Sequence, residues 1–254
     1  MKKFLDAYRE YRAAKAKSKA YRIVRYAFLL IAAAFVFLLV YPQVLFAHEV
    51  RYKNFTVYSR QPLDQNIYTV LDKVEVQLSK SPINDTSVHP KIFLTNSQKL
   101  YSLLSLYIGQ NSFGKGYPLL PTSNVFINET DISRDLVFRK APTGNQRSLS
   151  GVLAHEITHL HIRKKLGHVR NVTLPTWKKE GFCEYVAGGS TLDYETGVKM
   201  WKANPADGTG YQYFKYYMMV KYLFEDEKPV TIDEFFNMDM SESLIAGRVF
   251  ERLL

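Results

Sequence analysis

Two histidines four residues apart, His155 and His159, with Glu156 directly after the first, make an HExxH pentapeptide at 155–159. On a helix, positions i and i+4 share one face, so both imidazoles can point at a single metal ion. Glu156 then projects beside them, placed to act on a metal-bound water. The spacing is a physical requirement, because only nearby, rigidly held nitrogens both reach zinc at about 2.0–2.1 Å. That rigidity has to come from the flanking sequence. Ser148 or Ser150 can cap the N-terminus of the motif helix, and Gly167 can end it just after the basic residues Lys164 and Lys165. Leu149, Val152, Leu153, Ile157 and Leu160 recur at helical spacing and predict a core-facing stripe beside the His155/His159 face.

Two histidines leave a zinc site short of a third protein ligand. The metzincin pattern would need glycine at 162 and histidine at 165, where Ile162 and Lys165 stand. His161 lies two residues beyond His159, elsewhere on a helix, and His168 follows the terminating glycine; both read as surface histidines. Further on, Trp177-Lys178-Lys179-Glu180-Gly181-Phe182-Cys183-Glu184-Tyr185 places two carboxylates one helical turn apart. This stretch resembles the W-x-x-E-G-x-x-E-Y segment of the gluzincin clan of metallopeptidases. The resemblance implies that Glu180 is the third metal ligand and that Glu184 accepts the outer N–H of a liganding histidine, for which His155 is our choice. It also implies a tyrosine beyond the zinc glutamate as oxyanion donor. Tyr211 is the first candidate and Tyr213 the second. Cys183, the single cysteine, reads as a small buried hydrophobe.

The chain of 254 residues carries a net charge of +10, which suggests nucleic acid until its distribution is considered. Residues 1–25 hold nine Lys or Arg against Asp6 and Glu10, leaving only +3 for the remainder, so nucleic acid is not an expected partner. An apolar run follows from Ala27 to Val40, extendable to Ala47, long enough for one transmembrane helix. We assign residues 1–25 as a basic cytoplasmic segment and 26–47 as a signal anchor, which the positive-inside rule orients with the rest of the chain across the membrane. A cleaved signal peptide is the competing reading, but Leu45-Phe46-Ala47 makes a poor small-x-small cleavage site. Phe4, Tyr8, Tyr11 and Ala14 fit either an amphipathic helix on anionic headgroups or a solvated tail. One cysteine excludes an internal disulfide, and with the single-anchor layout this points to a bacterial cell envelope.

Residues 48–254 are the expected catalytic domain, an α+β lobe at 48–166 and a mainly helical lobe at 167–254. Val50–Ser59 reads as a strand, Ile67 to Leu78 as a helix, Lys91–Thr95 as a strand, and Ser97 as the cap of a helix running to Tyr107. Gly109, Gly114 and Gly116 mark a loop, Asn124–Asn128 a strand, and a turn-rich segment ends at Gly144. Helices are expected at Thr191–Ala203, Tyr211–Glu225, Ile232–Met238 and Ser241–Leu254. This order predicts a mixed sheet beside the motif helix. It is similar to the minimal gluzincin core of the peptidase MA-like domains, which implies a zincin-like fold with a cleft-lining strand; Val125–Asn128 is either that strand or an interior one. The expectation is a membrane-anchored zinc peptidase holding one Zn²⁺ through His155, His159 and Glu180, with Glu156 as general base and a peptide or protein as substrate. A zinc hydrolase of a non-peptide amide, and a non-catalytic binding module that keeps its metal, are the alternatives. Arg163, Lys164 and Lys165 on the motif helix argue against an intramembrane protease.

Overall fold

Lys2–Lys17 (α1) and Lys19–Val40 (α2) are helices, and α2 is 22 residues long with a mean hydropathy of 2.6 over its most apolar 18 residues. At 1.5 Å per residue it measures about 33 Å, long and apolar enough to cross a membrane. The helix runs from Lys19 to Val40, so it begins before the expected span 26–47 and ends within it. Pro42 explains the stop, since it lacks an amide hydrogen and disfavours helical backbone at the residue before it. The computed structural model describes residues 2–17, 19–106, 111–116, 122–141, 144–203, 209–225 and 229–253. It divides into two units, Met1–Val44 and Leu45–Leu254.

The second unit is α+β. Its first element is a hairpin rather than the single strand expected over 50–59, with β1 at His48–Tyr52 paired antiparallel to β2 at Phe55–Ser59. Lys53 turns the chain with φ 52°, a conformation its sequence does not advertise. Ile67–Ser79 (α3), Lys91–Leu94 (β3), Gln98–Leu104 (α4), Gly114–Gly116 (β4) and Asn124–Ile127 (β5) follow. Tyr107 and Gly109 lie outside the described residues. The sheet is mixed, ordered β1-β2-β3-β5-β4, with β2, β3 and β5 parallel and an antiparallel strand at each edge. Val57, Ile92 and Val125 are partners in register and belong to one core with Val70, Leu71 and Val74 of α3. Tyr58, Phe93 and Phe126 alternate with them onto the opposite face and stack at 4.8 and 5.4 Å.

Glu129–Asp131 (β6), Leu136–Phe138 (β7) and Gln146–Ser148 (β8) form a second, antiparallel sheet in the stretch expected to be turns. It delivers the chain to the motif helix, Leu149–Leu166 (α5). Ser148 caps that helix at Gly151 N–H, 3.3 Å away. Asp135, in a left-handed conformation, takes the two preceding amides: Leu149 N–H donates to its carbonyl at 2.9 Å and Ser150 N–H to its carboxylate at 2.8 Å. Three of the four unpaired N-terminal donors are thus satisfied, which holds α5 in place. Gly167 ends it at φ 76°.

The helical part continues with His168–Thr173 (α6), Thr176–Val186 (α7), Tyr194–Ala203 (α8), Thr209–Glu225 (α9), Ile232–Asn237 (α10) and Glu242–Leu253 (α11). Asn204, Pro205 and Gly208 lie outside the described residues. Gly181 explains how closely α7 meets α9. A Cβ there would stand 2.6 Å from the carbonyl oxygen of Tyr216, so any larger residue would force the helices apart.

Leu149, Val152, Leu153, Ile157 and Leu160 of α5 are buried as the stripe predicts, but burial extends almost all round the helix. His161, expected at the surface, is 1% exposed, and neither ring nitrogen has a hydrogen-bond partner among the described residues. Burial, opposed by Asp85, lowers its pKa to about 4. Because the folded value lies below the ordinary 6.5, the neutral ring's full contribution is present above pH 6.5 and is lost as pH falls toward 4. We expect stability to drop by about 3 kcal/mol across that window from this residue alone. His161→Phe should flatten that part of the profile in urea titrations of the detergent-solubilised chain, and an unchanged slope would count against the assignment.

Candidate metal centre

The helices α5 and α7 carry the predicted residues, and their packing brings His155, His159 and Glu180 to one point. The Nε2 atoms of His155 and His159 are 3.2 Å apart, and Oε2 of Glu180 lies 3.3 Å from the first and 3.4 Å from the second. A tetrahedral ion with ligands at about 2.0–2.1 Å has ligand–ligand edges of about 3.3–3.4 Å. The three atoms form a nearly equilateral triangle of that size. Three donors of this kind suit zinc, with the face away from the protein left for a water or substrate.

The outer contacts favour the same nitrogens. Oε1 of Glu184, fully buried, lies 3.1 Å from Nδ1 of His155, at ion-pair distance although off the line of a good hydrogen bond. A proton on Nδ1 leaves Nε2 of His155 with its lone pair toward Glu180. Arg147 of β8, absent from the sequence-based candidates, grips Glu184 with both guanidinium nitrogens at 2.9 and 2.8 Å and donates to the Gly189 carbonyl at 3.1 Å. Burial opposes the charged form of both partners. Even so, the arginine and the histidine hold Glu184 below the usual carboxylate range, and the carboxylates Glu184 and Glu180 push His155 up to about 10. The cluster is built around positive charge, which a divalent cation provides without a proton.

Cys183 makes a second trio, because it and the two histidines can each place a ligand atom within 4.8 Å of the others. We favour Glu180. The Sγ atom sits 3.3 Å from Nδ1 of His159, the nitrogen turned away from the triangle. Burial, with Glu180, Glu156 and Glu184 nearby, also raises the thiol well above its ordinary pKa. As expected, Cys183 is buried in the core, and in the neutral form its Sγ can also accept Nδ1–H of His159, an orienting contact.

Glu156 is held from the other side by the sheet. Gly116 N–H donates to its Oε2 at 3.0 Å, and a Cβ on Gly114 would stand 2.9 Å from its Cγ. Gly114 and Gly116, expected to mark a loop, therefore form the edge strand β4 that cradles this carboxylate, while β5, which covers most of the Val125–Asn128 stretch expected as either a cleft strand or an interior one, is interior. Tyr211, the first candidate, packs against the core and is not among the described residues that line the cavity. Tyr213, two residues on, does line it, with its ring 6.3 Å from that of His155. Burial, then Glu180, Glu184 and Glu156, keeps its phenol protonated far into the alkaline range, so it remains a hydrogen-bond donor. The histidines, Glu156, Glu180 and Tyr213 open into one cavity of about 350 Å³. No protein-family model matches the chain, and no curated protein matches it.

Proposed function

We propose that this chain is a membrane-anchored, gluzincin-type zinc metallopeptidase with a zincin-like fold. The observation that supports it most directly is the triangle of 3.2, 3.3 and 3.4 Å between two imidazole nitrogens and one carboxylate oxygen, beside a carboxylate that is not part of it. His155, His159 and Glu180 would hold the zinc, which would supply Lewis-acid polarisation of a carbonyl and acidification of a water.

The chain's own groups perform the remaining steps. Glu156, with Oε2 fixed by Gly116, takes the proton from the attacking water and later delivers it to the leaving amine. Tyr213 donates its hydroxyl to the oxygen that gains negative charge. Glu184, clamped by Arg147, sets the orientation of His155. The basic helix α1 stays cytoplasmic, α2 spans the membrane, and the site faces the other side in a bacterial cell envelope.

Elemental analysis of the full chain in detergent tests the metal. One zinc per chain is expected, lost in Glu180→Ala and retained in Glu184→Ala with affinity weaker by about 10–100-fold. If the wild-type chain holds stoichiometric zinc and cleaves nothing in a broad peptide library, the peptidase reading is wrong.

A further inference from the structure

Five cations line the cavity against three carboxylates: Lys115, Arg139, Arg147, Arg163 and Lys179 facing Glu156, Glu180 and Glu184. Arg147 is spent on Glu184, and Arg163 donates to the Thr122 carbonyl. Arg139 differs. Its Nε–H donates to the Gly144 carbonyl at 2.9 Å and its guanidinium stands 4.6 Å from the centre of the Phe113 ring, but no carboxylate among the described residues pairs with it. The same holds for Lys115 and Lys179. Burial and the neighbouring Arg147 both disfavour the charge on Arg139, which arginine nevertheless keeps. An anchored, half-buried and unpaired guanidinium presents a planar fork suited to a carboxylate.

Its position says where that carboxylate belongs. Phe113, under the guanidinium, immediately precedes the strand whose Gly114 and Gly116 touch Glu156. We propose that Arg139 recognises a carboxylate on the substrate within one or two residues of the cleaved bond, so that this site selects acidic peptides or free C-termini. The inference rests on the peptidase reading, and it makes the basic wall a specificity pocket.

The test uses the full zinc-loaded chain in detergent and matched peptides carrying glutamate or glutamine, each with a free or an amidated C-terminus. A carboxylate should raise kcat/KM at least about tenfold, and whichever arm carries the effect identifies the source. Arg139→Gln should bring that ratio close to one, and Arg139→Glu should reverse it in favour of lysine-containing peptides, with zinc content preserved in both. Calorimetry on Glu156→Gln supplies a reading without turnover: the carboxylate peptide should bind at least about tenfold tighter, and the difference should vanish when Arg139→Gln is added. Equal binding of the matched peptides, or a preference that survives Arg139→Gln, overturns the proposal. An Arg139-dependent binding difference without cleavage keeps the carboxylate site and removes the peptidase reading instead.

Discussion

Glu156→Gln is expected to lower kcat by about 10²–10⁴-fold while leaving one zinc bound per chain. Of the three carboxylates in the cavity, Glu180 touches both imidazoles and Glu184 is clamped by Arg147. Among the described residues of the cavity, that leaves Glu156 as the carboxylate proposed for proton transfer. One of its oxygens is held by the Gly116 amide at 3.0 Å, which fixes the side chain without occupying the other. Glutamine keeps the volume and can still accept that amide hydrogen, so the strand β4 has no reason to move. What it cannot do is accept a proton from water. A single-turnover assay with zinc measured on the same sample is the clean comparison, and kcat within a few-fold of wild type would remove Glu156 from the chemistry. Retained zinc matters equally, because loss of metal would mean that the carboxylate is structural.

The convergence of His155, His159 and Glu180 was legible because the i, i+4 histidines, the capping serine and the terminating glycine follow from spacing along one helix, and the Trp-x-x-Glu-Gly segment was marked by its resemblance to a known motif. What escaped depends on contacts between distant segments. Arg147 is 37 residues from Glu184, and nothing in its neighbourhood marks it as the partner of a buried acid. The role of Gly114 becomes visible only when β4 lies against α5, because a Gly-Lys-Gly run signals a loop and an edge strand alike. His161 was misplaced for a related reason. The stripe rule assumes a helix with a wet side, and α5 is covered by α3, α7 and the strands together. Tyr211 and Tyr213 both lie in the first turns of α9, and which of them reaches the cavity depends on how that helix packs, which the tyrosine-rich sequence does not mark.

Arg147→Met is expected to cost about 3–5 kcal/mol of stability in the metal-free chain. Glu184 is fully buried, and both of its oxygens take their strong hydrogen bonds from this one guanidinium. Without it, the carboxylate keeps only the poorly aligned Nδ1 of His155, and Gly189 loses a donor to its carbonyl. The cost comes from stranding a charge, so it should shrink when the charge is removed as well. Arg147→Met with Glu184→Gln is therefore expected to recover a large part of the loss, as buried pairs replaced on both sides often do. Urea midpoints of wild type, both single variants and the double variant form the cycle that measures the coupling. A single variant within about 1 kcal/mol of wild type would mean that water or a neighbouring group replaces the arginine. Zinc affinity separates the two roles of the pair. If Glu184 orients His155, the double variant should regain stability yet still bind zinc about 10–100-fold more weakly, since glutamine accepts Nδ1–H without the charge that strengthens the imidazole as a ligand.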